Sequence, residues 1–141
     1  MVSFGSFIMD QVKLTGAADL VGRLLLAALF LYDGWIVMNN YGATADYLAQ
    51  FGMPPLFLIP ALILQVVGGL LIAVGWNTRL AALALSLFCI STAVIFHNQF
   101  GDPNEAIQFW KDLAIAGGLL ILATRGAGTF SLDSHLRKAT A

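Results

Sequence analysis

The chain has 141 residues, of which 59% are hydrophobic and only 11% are charged. Soluble domains carry about 25% charged residues, so this composition predicts an integral membrane protein. The net charge of -1 argues against a nucleic-acid partner, which requires a basic surface. The single cysteine, Cys89, excludes an internal disulfide, a paired-cysteine redox motif and a multi-cysteine metal site.

Residues 1–19 precede the first long apolar run and do not have the pattern of a cleaved signal peptide. Lys13 is the only early positive charge, and no apolar core with a small-residue cleavage site follows the first methionine. Phe4 and Ile8 belong to a set of apolar residues at roughly helical spacing. The segment is therefore expected to be either a short interfacial helix or a loose tail.

Four segments are long and apolar enough to cross a bilayer, which takes about 20 mostly apolar residues. They run from about Leu20 to Met38, Pro55 to Gly75, Arg79 to His97 and Ala106 to Thr124. The fourth contains Lys111 and Asp112, so either this pair is tolerated inside the bundle or the helix begins as a polar turn above the membrane. The expected fold class is all-α: one four-helix transmembrane domain over residues 20–125, followed by a C-terminal tail over residues 126–141.

The positive charges predict the orientation, because cytoplasmic segments carry an excess of Lys and Arg. Lys111 stands alone on one side, and six residues fall on the other side: Lys13, Arg23, Arg79, Arg125, Arg137 and Lys138. Both termini are therefore expected in the cytoplasm. In the connector between the first two spans, Tyr47, Leu48 and Phe51 have helical spacing. They predict a short interfacial helix on the outer surface.

Polar side chains cluster near the predicted outer ends of the spans. They form a candidate ligand-binding cluster, since ionisable residues inside a membrane are functional candidates by default: Asp33, Gln65, His97, Lys111 and Asp112. Lys111 is the natural ion-pair partner of Asp33, and a purely structural pair that fixes helix order explains both residues equally well. The plainer explanation of His97 is contact with headgroups and water. For Gln65 it is an interhelical hydrogen bond.

Two further features have structural interpretations. Arg23 lies at the inner end of the first span, where a long cationic side chain is expected to reach toward lipid phosphates. Gly68-Gly69 and Gly117-Gly118 predict points of close helix contact, because small residues let two backbones approach.

The histidines limit the redox chemistry that one chain can perform alone. His97 and His135 are expected on opposite faces of the bilayer, so they cannot form a bis-histidine haem site. No cysteine cluster for an iron–sulfur centre and no glycine-rich nucleotide motif is present. No intrinsic cofactor is therefore expected, and electrons would have to arrive through a partner, a quinone or an external cofactor.

Several stretches together resemble the DoxX family of small four-helix membrane proteins, from about Leu20 to Asp133: GRLLLAALFLYDGW, ADYLAQFGMPP, GGLLIAVGWNTRLAALAL and FWKDLAIAGGLLILA. The resemblance implies a bundle in the bacterial inner membrane, in a family linked to quinone-coupled oxidation of reduced sulfur. The family often has a glutamate where Gln65 stands and a small polar residue where Asp33 stands. The acidic residue of the family's second helix would then have moved to the first helix in this chain. This hypothesis predicts that Asp33 and Gln65 face the same interior.

Three functions follow, in descending order of preference. The first is a membrane subunit of a quinone-linked oxidoreductase, with quinone as the candidate cofactor and Asp33, His97 and Lys111 around its head group. The second is a non-enzymatic anchor or assembly subunit, and the third is a small-molecule transporter. The expected partners are the lipid bilayer and either other subunits or further copies of the chain, with no nucleic acid. A quinone site predicts an apolar crevice that leads to the polar cluster. An anchor predicts a plain, well-packed bundle, and a transporter predicts polar groups that continue across the bundle.

Overall fold

The computed structural model describes residues 4–139, so the first three residues of the predicted N-terminal segment and the last two of the predicted tail lie outside the described residues. Six α-helices and one 3₁₀ turn (Pro55–Phe57) form this part of the chain: α1 (Phe4–Asn39), α2 (Tyr41–Gln50), α3 (Leu58–Val74), α4 (Thr78–Phe96), α5 (Pro103–Arg125) and α6 (Leu132–Ala139). The helices α1, α3, α4 and α5 are long and apolar enough to cross a membrane. The predicted all-α membrane bundle with four spans is therefore confirmed.

The first helix is longer than the predicted first span. Its 36 residues extend over about 54 Å, whereas the hydrocarbon core of a bilayer is about 30 Å thick. Residues 4–19 form the first turns of this same helix rather than a separate element. Their position relative to the membrane surface stays a prediction, as do the orientation of the termini and the side on which α2 lies.

The spans pack in the order α1, α3, α4, α5, and α1 makes much less contact with α5 than with α3. The predicted contact at Gly68-Gly69 is confirmed: a Cβ on Gly68 would lie 3.0 Å from Leu85, and one on Gly69 would lie 3.2 Å from Leu31. The second glycine pair is different. A Cβ on Gly117 would have nothing within 4 Å. A Cβ on Gly118 would lie 4.0 Å from Leu26 of α1, an ordinary van der Waals distance. The predicted close approach is therefore wrong for this pair, although Ala116 and Leu119 beside it are buried.

The two ends of the bundle differ in how they are filled. We call them the α2 end and the α6 end after the short helix that each carries. The buried core occupies the middle and extends toward the α6 end, and its largest side chains belong to Phe30, Ile72, Leu85 and Leu119. Ser86 is fully buried within it, and its hydroxyl donates a hydrogen bond to the Ala116 carbonyl at 3.1 Å. This bond ties α4 to α5.

The predicted C-terminal tail packs against the α6 end. We call residues 126–139 the C-terminal clasp. Arg23 is only 2% exposed, and its Nη2 donates to the Phe130 carbonyl at 2.7 Å. The expectation that Arg23 reaches lipid phosphates is therefore wrong, because the clasp folds back over it and supplies a main-chain acceptor.

Asp133 joins the clasp to the turn between α3 and α4. Its backbone N–H donates to the Gly75 carbonyl at 2.8 Å, and its carboxylate accepts from the backbone N–H groups of Asn77 and Thr78 at 2.9 and 3.2 Å. Burial alone would raise the pKa of Asp133, but these hydrogen bonds outweigh it and hold the pKa below its usual range. Asp133 thus caps the start of α4 from a distant part of the sequence.

Candidate functional site

A cavity of about 730 Å³ lies among the four spans at the α2 end. Its walls are mainly apolar, with aromatic side chains from Phe30, Phe57, Phe88 and Phe96. All five residues of the predicted polar cluster line it: Asp33, Gln65, His97, Lys111 and Asp112. Ligand sites in proteins have this form, about 300–1,000 Å³ of mostly apolar surface with a few convergent polar groups. The depth of each polar residue along its helix was therefore enough to predict that these five residues line one cavity.

Asp33 and Gln65 form the central polar contact of this cavity. Gln65 is 4% exposed, and its Nε2 donates a hydrogen bond to Asp33 Oδ2. Gly34 allows α1 and α3 to approach here, since a Cβ on it would come within 2.9 Å of the Val66 side chain. The prediction that Asp33 and Gln65 share one interior is confirmed.

The expected ion pair between Asp33 and Lys111 does not form. Lys111 is exposed and its Nζ donates to Gln108 Oε1 at 3.3 Å, one turn away on the same helix. Asp112 is rotated from Lys111 by about 100° and is half-buried. It accepts a hydrogen bond from Thr92 Oγ1 of α4 at 3.0 Å. Within residues 4–139, Asp33 is therefore held by an amide and not by a cation.

His97 lies at the mouth of the cavity and pairs with a residue that sequence reasoning missed. Its Nδ1 is 2.7 Å from Glu105 Oε2, and both side chains are half-buried. Asp102 caps α5 by accepting from the Asn104 N–H at 2.9 Å, and this starts the helix so that Glu105 faces back toward α4. The turn at Gly101-Asp102-Pro103 was the available signal, since it predicts that residues on either side of it meet.

The helix α2 covers one side of the cavity mouth. Tyr47 packs edge-on against Phe51, with ring centroids 5.1 Å apart, and Phe51 packs against Phe96 of α4 at 4.9 Å. Burial raises the pKa of Tyr47, and the nearby charge of Glu105 raises it further, so the phenol stays neutral. The predicted short helix between the first two spans is present, and its aromatic residues attach it to the bundle.

The loosely packed seam between α1 and α5 borders the cavity. Asp33 on α1 and Lys111 on α5 are both exposed in the isolated chain and both line the cavity. Among the described side chains, which leave out those of residues 4–7 and 10, no group of three or more His, Cys, Asp or Glu is arranged to hold a metal ion. The site is thus a mixed polar and apolar cavity beside an incompletely closed helix seam.

Four spans around a ligand-sized cavity define a small multi-pass membrane protein with a potential binding site inside the bundle. The chain belongs to the DoxX family, whose family model matches residues 18–98, more than half of the sequence. The model of the SURF4 family also matches, over residues 61–139. The resemblance to DoxX proteins found in the sequence is therefore confirmed.

Relatives with curated names place the protein in the inner membrane. The chain is 37% identical to the inner membrane protein YqjF of Escherichia coli over 126 residues, covering 89% of this chain and 97% of that one. It is 35% identical to the inner membrane protein YphA of the same organism, covering 81% and 86%. The ER-derived vesicles protein ERV29 of Saccharomyces cerevisiae is 29% identical over half of this chain and 24% of its own length. No solved structure matches significantly.

Proposed function

We propose that this protein is the membrane subunit of a quinone-linked oxidoreductase and that its cavity holds the quinone head group. The observation that carries the proposal is the mostly apolar cavity of about 730 Å³ that contains the Asp33–Gln65 contact. A head group of a lipid-soluble ligand needs apolar walls for its ring and a few polar groups for its oxygens. Both are present in one place.

The polar residues have distinct proposed roles. A bound quinone supplies a two-electron, two-proton couple, and the electrons come from a partner subunit. Asp33 exchanges protons with the head group, and Lys111 donates a hydrogen bond to it from α5. His97 and Glu105 lie at the mouth, 2.7 Å apart, where they connect the cavity with water at the α2 end.

The seam between α1 and α5 is the proposed entrance from the bilayer. These two helices are the least closely packed neighbours in the bundle. A long isoprenoid tail can leave the cavity through such a seam and remain in lipid. An entrance from the side also spares the ligand from crossing the polar mouth.

The core beyond the cavity gives little support to transport. Toward the α6 end the interior is filled by apolar side chains such as Ile72, Leu85 and Leu119. The hydroxyl of Ser86 in this region is already bonded to the Ala116 carbonyl. A transporter needs polar groups that continue across the bundle, and the described residues do not provide them between Gln65 and Arg23.

A non-enzymatic anchor or assembly subunit is the second candidate. The same α1–α5 seam favours it, because a groove between two spans can receive a helix of a partner or of a second copy. In that case the polar cavity residues would serve only to hold the four spans together.

The test is to measure the quinone that stays with the purified protein and to fill the cavity by mutation. Ala61 lines the cavity, whereas Ala84 lies in an apolar groove between α3 and α4 on the outside of the bundle, and both are half-buried. We expect about one quinone per wild-type chain by mass spectrometry of extracted lipids. Ala61→Phe should lose it, and the matched control Ala84→Phe should keep it. A folded wild-type protein without quinone would instead support the anchor.

A further inference from the structure

The hydrogen-bonding groups that line the cavity distinguish the two forms of a quinone head group. We infer that the cavity binds the reduced form, the hydroquinone, more tightly than the oxidised quinone; this inference rests on the proposed function. The argument depends on which polar atoms remain available after the hydrogen bonds inside the protein have been made.

Gln65 presents an acceptor to the cavity. A carboxylate can only accept hydrogen bonds, so the amide NH2 of Gln65 must face Asp33, and its Oε1 must face elsewhere. Within residues 4–139, no hydrogen bond to this Oε1 is present, although the residue is 4% exposed and lines the cavity. An acceptor oxygen with its lone pairs free is therefore left at the cavity.

Asp33 and Asp112 present further acceptors. Each uses one carboxylate oxygen inside the protein, Asp33 with Gln65 and Asp112 with Thr92, and each keeps the other oxygen. Asp33 is six residues before the end of α1, Gln65 is seven residues into α3, and Asp112 is nine residues into α5. At 1.5 Å per residue these positions lie about 9, 10 and 14 Å from the α2 end. Three helices thus direct acceptors at similar depth.

The donors that line the cavity are partly occupied. Lys111 is exposed and bonded to Gln108, and His97 at the mouth is paired with Glu105. Asp33, Gln65 and Asp112 therefore keep free acceptor oxygens, whereas Lys111 and His97 already have one partner each.

This arrangement suits a ligand that donates hydrogen bonds. The two carbonyl oxygens of a quinone can only accept, whereas the two hydroxyls of a hydroquinone can donate. A phenolic hydroxyl with a pKa near 10 keeps its proton at neutral pH. Hydrogen bonds from a hydroxyl to a carboxylate are roughly twice as strong as those between neutral groups. The aromatic walls accept the ring of either form, so the preference comes from the oxygens.

The test measures the binding of one head group in both redox states. The probe is 2,3-dimethoxy-5-methyl-1,4-benzoquinone, which has no tail, and the same compound reduced to its hydroquinone. Binding to the full-length protein in nanodiscs is measured by calorimetry without oxygen. We expect the hydroquinone to bind at least about tenfold more tightly. For a two-electron couple, a tenfold preference raises the midpoint potential of the bound ligand by about 30 mV, which provides a second readout.

Substitutions then show which residues cause the preference for the hydroquinone. Asp33→Asn and Asp112→Asn each replace an acceptor oxygen by a donor and should reduce the ratio severalfold. Asp46→Asn is the matched control, because Asp46 is exposed on α2 and does not line the cavity. Equal binding of the two forms, or tighter binding of the quinone, would overturn the inference and leave the proposed function standing. Binding of neither form would overturn both. The wild-type ratio alone decides this, even where a variant fails to fold.

Discussion

The two ends of the bundle use polar residues in opposite ways. At the α6 end, Arg23 and Asp133 bond to the main chain of distant segments, and the C-terminal clasp, which contains Asp133, closes over Arg23. At the α2 end, Asp33 and Asp112 bond to other side chains around an open cavity and keep free acceptor oxygens. The comparison teaches that a polar residue inside a membrane bundle is not functional by its presence alone. Whether such a residue is functional depends on its hydrogen-bond partner and on whether open space adjoins it.

The largest expected effect comes from two glycines with the same backbone conformation at opposite ends. Gly75 has φ +72°, and a Cβ on it would collide with the Arg23 guanidinium and lie 2.6 Å from Ser131 Cβ. Gly52 has φ +71° and nothing within 4 Å. We expect Gly75→Ala to lower the free energy of unfolding by about 3 kcal/mol, from backbone strain and collision together. Gly52→Ala should lower it by only about 1 kcal/mol.

Unfolding in detergent, followed by circular dichroism, measures both values. Equal losses for the two variants would show that the α6 end is no more tightly closed than the α2 end, and this would break the comparison.

Asp133 provides a second, smaller test of the closed end. Asp133→Ala removes the cap of α4 and should cost about 1 kcal/mol at pH 7. Because hydrogen bonds hold the pKa of Asp133 below its usual range in the folded state, its contribution is present above the unfolded pKa of about 3.9. It is lost as the pH falls through the lower, folded pKa. The difference in stability between wild type and variant should therefore be constant at pH 5–7 and shrink below about pH 4. A difference that is unchanged at pH 2 would contradict this.

The smallest effect is expected at the cavity. Gln65→Leu removes the hydrogen bond to Asp33, but water in the cavity can solvate the freed carboxylate. We expect a change of less than about 0.5 kcal/mol in the free energy of unfolding. Ser86→Ala is the comparison within the packed core, where no such space adjoins the hydroxyl, and should cost about 1 kcal/mol. If Gln65→Leu were the more costly of the two, the polar contact in the cavity would be structural.

The sequence predicted well how deep each polar residue lies along its helix, but it predicted poorly how each helix is rotated about its axis. Long apolar runs identify spans, and counting along them places Asp33, Lys111 and Asp112 near the predicted outer ends, which is why the polar cluster was predicted. The partner of each residue depends on how the helices are rotated against one another, and no apolar pattern specifies this when lipid surrounds the bundle. Asp33 was therefore assigned to Lys111, although Gln65 holds it.

Contacts between segments far apart in the sequence also could not be predicted from the sequence. The bond between Arg23 and Phe130 joins positions 107 residues apart, and the sequence predicts only a tail over residues 126–141. Glu105 was missed for a different reason. It lies just before the predicted fourth span, which begins at about Ala106, and only the cap at Asp102 turns it toward His97.

The bond between Arg23 and Phe130 has a consequence for the order of events during synthesis. Helix α1 leaves the ribosome with its arginine long before the acceptor on residue 130 exists. An arginine in a nascent span is costly in lipid, and this cost persists for most of the translation of the chain. Only when residue 130 has emerged can the Arg23 side chain donate to the main chain of the C-terminal clasp. A chain that stops between residues 125 and 130 therefore has all four spans but an arginine whose main-chain acceptor is missing.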